Sequence, residues 1–591
     1  MAVADQRAPA PTEIVVVATG QKENIADSGQ SISVIGAAEL EQVQGPDLTR
    51  ALERLPGVTL SRNGPLGSTT SMFVRGANSE QVVVVIDGVR MADMAAPSGG
   101  FDLGTLLSGG IGQIELLRGS NSVAWGSDAM GGVLAVTSDT RNGPRAEVEY
   151  GAHNTFSADA GGRMGSDQTW LALGGGYVRT DGISAFAGGT EPDGFWQWNV
   201  HGSGRLALGD NLALVSTARY ADGKINIDGY PAPNYTFADT PEFQTTRQGS
   251  GRTGIEYRGD GLRIDAGLAL SDTRRAYYDP TYGTAPNYTT AGRSLRADVT
   301  GQVTLPASFT LDFGLDSEWT RFSTSYDPRQ SARLSSGHVQ LGYHDGDRLN
   351  LTAGARIDDH DRFGTHATFG ADGAVGLGGG WRLRASWGQG FKAPTLYQLY
   401  GYGGNPLLKA ETDNSVDAGI EYGNRNAPFH AALTVFRRDS SNLISYIWPS
   451  GYFNTGRTRA EGIELEGGAH LGERVTASVA YTYVKATDRA TGIDLARRPR
   501  NAVTVSADWR TPLADLTLGG DVRMVSGSFD LPGGFTRLEG YALATLRASV
   551  PLGQHFELYG RIENVTDARY QTAADYGTYG RSAYAGVRLK W

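Results

Sequence analysis

Paired aspartate and glycine residues cluster in one stretch of the chain. The pairs are Asp181-Gly182, Asp193-Gly194, Asp222-Gly223 and Asp228-Gly229. An Asp-Gly pair is first of all a turn signal, because glycine supplies the positive φ that tight hairpins need. Calcium binds about six to eight oxygens, which loops rich in carboxylates and backbone carbonyls can supply. Four pairs are more than turns alone require, so we expect a calcium site rather than plain turns, with these ligands: Asp181, Glu191, Asp193, Asp228 and Asp239.

Other kinds of chemistry find little support in the sequence. Cysteine is absent, which excludes disulfides, thiolate metal sites and cysteine nucleophiles. The sequence contains no GxxxxGK[ST] or HExxH motif and no recognisable nucleophile elbow, so we do not expect an enzyme. The formal charge of -10 comes from charges scattered along the chain without a basic stripe, and nucleic acid is therefore not an expected partner.

The elements that would position these loops are β-strands. From residue 141 to residue 591, short segments alternate apolar and polar residues, as in the segment 349–357. No run of about 18 apolar residues exists, which excludes a membrane-spanning helix. Alternation over roughly 450 residues exceeds a soluble sandwich and favours a lipid-facing barrel, in which every backbone group is paired internally.

The region 19–140 shows a different pattern. A helical periodicity covers residues 37–55 and ends at Pro56-Gly57. Short apolar segments interrupted by glycine follow, for example 82–87 and 111–118, and they are too short to be barrel strands. We therefore expect a small α+β domain before the barrel, of a size that could fill a wide lumen.

Five ordered motifs in this region resemble the plug signature of TonB-dependent transporters. They are Leu55-Pro56-Gly57-Val58, Phe73-Val74-Arg75-Gly76, Val85-Ile86-Asp87-Gly88-Val89-Arg90, Ile114-Glu115-Leu116-Leu117-Arg118-Gly119 and the segment 125–133. The segment 562–570 resembles the late-barrel motif of the same family. The resemblance implies a mainly β fold: a 22-stranded antiparallel transmembrane β-barrel (141–591) with an N-terminal α+β plug domain (19–140) inside the lumen. It also implies a monomer surrounded by lipid in the Gram-negative outer membrane, and a plug held by ion pairs of Arg75, Glu115 and Arg118.

The N-terminal segment of the chain resembles a TonB box. This segment is Glu13-Ile14-Val15-Val16-Val17-Ala18, which follows a proline-rich start and has the β-branched character of a strand that adds to a partner's sheet. The resemblance implies a flexible N-terminus (1–18) that binds TonB and so couples import to the inner-membrane energising complex. The alternative is a first plug strand that never leaves the plug.

Within this family, the acidic loops most resemble those of cobalamin (vitamin B12) receptors. The resembling segments are 191–195, 226–230 and 237–240. The resemblance implies active import of cobalamin or a related corrinoid with calcium-ordered loops. It places these residues against the ligand: Asn63, Leu66, Ser68, Met91, Met94, Ser98, Tyr278 and Tyr282.

Two other functions compete with cobalamin import. The first is a receptor for a ferric siderophore or another ligand, because Arg274, Arg275 and many tyrosines are typical of siderophore pockets. The second is a passive porin, which the plug signature disfavours because a porin needs an open lumen.

Overall fold

The structure is a computed structural model that describes residues 14–15, 17–21, 23–94, 96–531 and 534–590. The described residues up to 138 form the plug, whose main sheet has five strands in the order β3-β8-β9-β6-β7. Its strands are β1 (Ile14–Val15), β2 (Glu23–Asn24), β3 (Ser31–Gly36), β4 (Val58–Arg62), β5 (Thr70–Val74), β6 (Val82–Ile86), β7 (Val89–Arg90), β8 (Ile111–Arg118) and β9 (Gly132–Ser138). Its α-helices are α1 (Ala37–Val43), α2 (Thr49–Leu52) and α3 (Ser122–Trp125).

Apolar side chains hold the plug together on both faces of this sheet. Leu52, Ile114 and Leu116 are fully buried in the larger cluster. Val15 and Val17 lie in the second cluster with Leu117 and are also fully buried. The first described residues of the chain therefore pack as part of the plug.

Within the described residues, 22 strands close into a single barrel by antiparallel pairing, which confirms the predicted fold. The barrel strands are β10 (Gly143–Gly151), β11 (Thr155–Gly165), β12 (Trp170–Thr180), β13 (Phe195–Ala207), β14 (Leu212–Asn226), β15 (Phe243–Gly259), β16 (Leu262–Tyr278), β17 (Tyr288–Leu305), β18 (Phe309–Thr324), β19 (Gln330–Asp345), β20 (Leu349–His360), β21 (Gly364–Gly378), β22 (Trp381–Lys392), β23 (Glu411–Tyr422), β24 (Phe429–Ile447), β25 (Gly451–Leu471), β26 (Val475–Asp488), β27 (Asn501–Arg510), β28 (Thr517–Val525), β31 (Tyr541–Leu552), β32 (Phe556–Glu563) and β33 (Ser582–Leu589). A hairpin of β29 (Ser528–Phe529) and β30 (Arg537–Leu538) and the helix α4 (Leu396–Tyr400) lie in connections between barrel strands. None of the described helices is long and apolar enough to cross a membrane.

The two faces of each barrel strand carry different residues, as the alternation predicts. In β20, Leu351 and Ile357 are 48% and 57% exposed on the outer surface. Arg356 and Asp358 point to the opposite side and are buried. Apolar side chains facing lipid and polar side chains facing the lumen are the arrangement of a transmembrane barrel.

The two ends of the barrel differ in the length of their connections. At one end, called here the turn end, strands join through short turns such as 166–169 and 208–211, and the barrel begins and ends there. At the other, called the loop end, the connections are longer and include 181–194, 227–242, 393–410 and 564–581.

Buried ion pairs join the plug to one side of the barrel wall. Arg75 lies 2.8 Å from Glu464 and 3.0 Å from Asp417, both on barrel strands. Arg118 lies 3.5 Å from Glu464, so the ion pairing expected of Arg75 and Arg118 is present. Glu115 accepts hydrogen bonds from the Val17 amide, at 3.2 Å, and from Gln113 Nε2, at 2.9 Å. The plug fills the lumen that a passive porin would need open.

Candidate functional site

Three of the five predicted calcium ligands meet at the loop end. One carboxylate oxygen from each of Glu191, Asp193 and Asp228 lies within 4.8 Å of the other two. The loop 181–194 contributes two of these residues and the neighbouring loop 227–242 contributes the third. Glu191 is exposed and Asp193 is fully buried, so the cluster runs from solvent into the protein.

Asp193 is the residue around which this cluster is built. Its Oδ2 accepts a hydrogen bond of 2.6 Å from the Ala185 amide. Its Oδ1 is buried and has no hydrogen-bond partner among the described residues. Burial, followed by the nearby carboxylates of Asp228 and Glu191, raises the pKa of Asp193 to about 7. A buried carboxylate in such surroundings needs either a proton or a cation.

The other two predicted ligands have different positions. Asp239 joins the edge of the cluster, because Ser184 Oγ lies 2.9 Å from Asp239 and 3.2 Å from Asp228. The Thr190 amide and the Ser184 hydroxyl lower the pKa of Asp239. Asp181 lies apart from the cluster: it accepts a hydrogen bond of 2.6 Å from Asn154. Asp181 directly follows β12, and its side chain faces the adjacent turn 152–154, so its prediction as a ligand of this cluster is corrected.

A third loop fixes these acidic loops in place. The Ala187 amide donates to Asp575 O at 2.8 Å, and the Gly577 amide donates to Ala185 O at 2.8 Å. Phe237 contacts the rings of Phe186 and Tyr576, with centroid separations of 5.4 and 4.8 Å. The backbone of loop 181–194 is thus held from both sides.

The plug residues predicted to contact a ligand lie in three different surroundings. Leu66, Ser68 and Met91 are buried, and Met91 lies in the plug core. Met94 and Ser98 line an open cavity at the loop end. Asn63 is half-buried, and its amide donates to Thr69 O at 3.1 Å.

The cavity that contains Met94 and Ser98 is called here the outer cavity, and its volume is about 90 Å³. Its wall also includes Arg90, Glu318, His360, Lys392 and Thr395. Thr395 Oγ1 donates to Pro97 O at 2.8 Å, which ties the plug loop to the loop 393–410. Sequence reasoning did not select these wall residues as ligand contacts, since they come from four separate segments.

A chain of tyrosines adjoins the outer cavity at the loop end. Tyr288 is 5.8 Å from Tyr277 between ring centroids, and its side chain lies close to that of Tyr397. Tyr397 lies 6.3 Å from Tyr452, whose ring is 5.0 Å from that of Tyr446. These five residues, Tyr277, Tyr288, Tyr397, Tyr446 and Tyr452, are called here the tyrosine chain.

The two tyrosines that the sequence selected lie outside this chain. Tyr278 stacks on Phe243 with centroids 4.5 Å apart. Tyr282 is 76% exposed. The sequence signal that could have identified the tyrosine chain is the occurrence of tyrosines at or beside the ends of several separate strands.

Solved structures of other proteins share this architecture. The siderophore receptor PirA from Acinetobacter baumannii matches with a TM-score of 0.80 and 18% identity, over 95% of this chain and 98% of that one. The ferric enterobactin receptor PfeA from Pseudomonas aeruginosa matches with a TM-score of 0.80 and 20% identity, over 95% of this chain and 98% of that one. The siderophore receptor PiuA from A. baumannii matches with a TM-score of 0.78 and 16% identity, over 96% and 98%.

Family models match both parts of the chain. Residues 24–133 match the TonB-dependent receptor plug domain. Residues 197–565 match the TonB-dependent receptor-like β-barrel, which is more than half of the chain. The chain therefore belongs to the TonB-dependent receptors, plugged β-barrels of the Gram-negative outer membrane that take up a small-molecule ligand with TonB.

Proposed function

We propose that this protein imports a ferric siderophore. In an outer-membrane barrel the short turns face the periplasm, so the loop end is extracellular. The tyrosine chain and the outer cavity therefore lie where an external ligand first meets the plug. This proposal replaces cobalamin as the leading ligand.

The tyrosine chain is the observation that carries the proposal. Ligand pockets are mostly lined by apolar and aromatic side chains with a few placed polar groups. Tyrosine offers a flat ring for stacking and a hydroxyl for hydrogen bonding, both of which suit a large iron chelate with aromatic or amide groups. The siderophore receptors with the same architecture support this choice.

Energised import requires a segment that TonB can reach from the periplasm. We propose that Glu13 to Ala18 is this segment, although Glu13 and Val16 lie outside the described residues. Trp125 Nε1 donates to Val17 O at 2.7 Å, and Asn121 Nδ2 donates to Ala18 O at 2.7 Å. The segment must leave these contacts before it can add a strand to TonB.

Ligand binding to purified protein tests the siderophore proposal. We expect at least one of the ferric catecholate, hydroxamate and citrate chelates to bind, and Tyr397→Ala to weaken that binding by about tenfold, as the loss of a stacking ring does. Tyr343→Ala is the matched control, because Tyr343 packs on Phe309 at the turn end, far from the tyrosine chain. Binding of cyanocobalamin with no binding of any ferric chelate would overturn the proposal.

Import of cobalamin with calcium-ordered loops is the second candidate, and the acidic cluster favours it. Two ligands on opposite sides of a calcium ion are separated by at most about 4.8 Å, because each lies about 2.4 Å from the ion. The oxygens of Glu191, Asp193 and Asp228 lie within that separation. The unpartnered Oδ1 of Asp193 would gain a ligand bond, and the mutual repulsion of the carboxylates would be relieved.

Thermal unfolding with calcium and with a chelator tests the metal site independently of the transported ligand. Calcium should raise the unfolding temperature of the wild type, and Asp193→Asn should remove that increase. Asp181→Asn is the control in the same loop, since Asp181 pairs with Asn154 outside the cluster. An equal loss of the calcium effect in both variants, or no effect in the wild type, would contradict the site.

A further inference from the structure

A second and larger space lies inside the barrel, between the plug and one part of the wall. This space is called here the inner cavity and has a volume of about 430 Å³, within the range of pockets that hold small molecules. On the plug side it is lined by the hairpin of β6 and β7. On the wall side it is lined by side chains from β12 to β19, including the hydroxyls of Ser203, Thr217, Ser271 and Ser294.

The inner cavity extends along the wall toward the periplasm. Its lining includes Trp170 and Arg258, which lie near the turn end of β12 and β15. Its lining also includes Arg90 and Glu318, and both of these residues line the outer cavity as well. The two cavities thus meet at Arg90 and Glu318.

Arg90 and Glu318 form the contact that separates the two cavities. Arg90 is held on the plug side by Asp128 at 2.5 Å and faces Glu318 across 3.9 Å. Glu318 is fixed on the wall side by Ser294 at 2.5 Å and Arg296 at 3.5 Å. The Arg90–Glu318 separation is therefore longer than the contacts that anchor Arg90 to the plug and Glu318 to the wall.

The contacts of the β6–β7 hairpin with the wall are weaker than those that hold the plug on the side of β23 to β25. There, Arg75 makes buried ion pairs with Glu464 and Asp417 at 2.8 and 3.0 Å. On the inner-cavity side, the β6–β7 hairpin itself contacts the wall through weaker links such as Thr217 Oγ1 to Asp87 O at 3.2 Å. A buried ion pair joins the wall only beyond the hairpin, between Asp93 and Arg275 on β16. Arg90 is also close in the chain to Met94 and Ser98, which line the outer cavity.

We propose that the imported ligand passes along the β12–β19 wall through the inner cavity, and that the Arg90–Glu318 contact is the gate between the outer and inner cavities. This inference rests on the proposed uptake function but not on the identity of the ligand. Separation of Arg90 from Glu318 joins the two cavities without removing the plug from the side held by Arg75. The polar lining then offers hydrogen bonds along the route.

Thiol labelling in cells tests the gate, because the chain contains no native cysteine. Ser271→Cys places one thiol in the inner cavity, and a membrane-impermeant methanethiosulfonate is added outside. We expect Arg90→Ala, and separately the isosteric Glu318→Gln, to accelerate labelling by about fivefold or more, the effect of losing a weak ion pair. Thr545→Cys is the matched control, because it lines a separate cavity of about 160 Å³ between plug and wall.

Uptake of the ferric chelate that the purified protein binds, with iron-55 as the label, tests the route. A bulky thiol reagent on Ser271→Cys should abolish uptake and spare binding, whereas the same reagent on Thr545→Cys should spare both. Labelling rates that neither gate variant changes, or normal uptake with Ser271→Cys fully modified, would overturn the inference. If unmodified cells take up none of the ferric catecholate, hydroxamate and citrate chelates, the proposed function is at fault, and the labelling rates still decide the gate.

Discussion

Replacement of Arg75 by alanine should loosen the plug from the barrel wall. The Arg75 guanidinium donates five hydrogen bonds, to Glu464, Asp417, Ser31 and the Arg118 carbonyl, at 2.8 to 3.2 Å. Removal of one partner from a buried ion pair costs about 3–5 kcal/mol, because the remaining charge stays buried. Arg118 and Arg384 remain near the two carboxylates, at 3.5 and 2.9 Å, so we expect about 3 kcal/mol.

Hydrogen exchange of the plug amides measures this cost. A change of about 3 kcal/mol raises the population of the open plug roughly a hundredfold, so the amides of β3 should exchange roughly a hundredfold faster. Arg141→Ala is the control, because Arg141 is 55% exposed and its pairs with Asp139 and Glu41 are screened by water. Equal exchange in Arg75→Ala and Arg141→Ala would refute the role of the buried pairs.

Three further predictions concern single contacts. Gly132→Ala should destabilise the plug in thermal unfolding, because Gly132 has a φ of +150° and a Cβ there would lie 2.2 Å from Leu117 O. Gly36→Ala is the control and should leave the unfolding temperature unchanged, because a Cβ at Gly36 meets open space. Trp125→Phe removes the hydrogen bond to Val17 O, so release of the segment 13–18 needs about 1 kcal/mol less. Binding of the TonB C-terminal domain should therefore become about fivefold stronger. Unchanged binding would argue against release of the segment. Tyr397→Phe keeps the ring and should bind the ferric chelate within about fivefold of the wild type, so a loss as large as that of Tyr397→Ala would show that the hydroxyl and not the ring binds the ligand.

The fold was predictable because its signals are local and repeated. Alternation in strands such as β20 reports directly which side chains face lipid and which face the lumen. The plug motifs around Arg75 and Arg118 mark positions at which the chain must pair charges inside the lumen. Signals of this kind can be read from the sequence without knowing which distant residues the side chains contact.

The site was less predictable because it depends on which loops meet. Asp181 and Asp193 carry the same Asp-Gly signal, yet only Asp193 points at Asp228, because Asp181 lies at the end of β12 beside Asn154. Leu66 and Met91 sit in loops that the resemblance places near a ligand, but Met91 packs in the plug core and Leu66 packs against Val178 and Phe195 of the barrel wall. Chain position alone does not determine the direction of a side chain.

The ligand assignment changed for a related reason. The acidic loops concern how the extracellular surface is ordered, whereas the proposed ligand contacts are in the outer cavity and the tyrosine chain. Those surfaces come from separate strands, for example Tyr288 on β17 and Tyr452 on β25. Their proximity is a property of the closed barrel, which no short stretch of sequence contains.

Uptake of iron-55-labelled siderophores by energised cells that depend on this protein tests the central claim most directly. The wild type should accumulate iron from at least one ferric chelate, and deletion of residues 13–18 should abolish accumulation while leaving surface binding intact. Accumulation that persists after the deletion, or accumulation of cyanocobalamin with none of the ferric chelates, would contradict the claim.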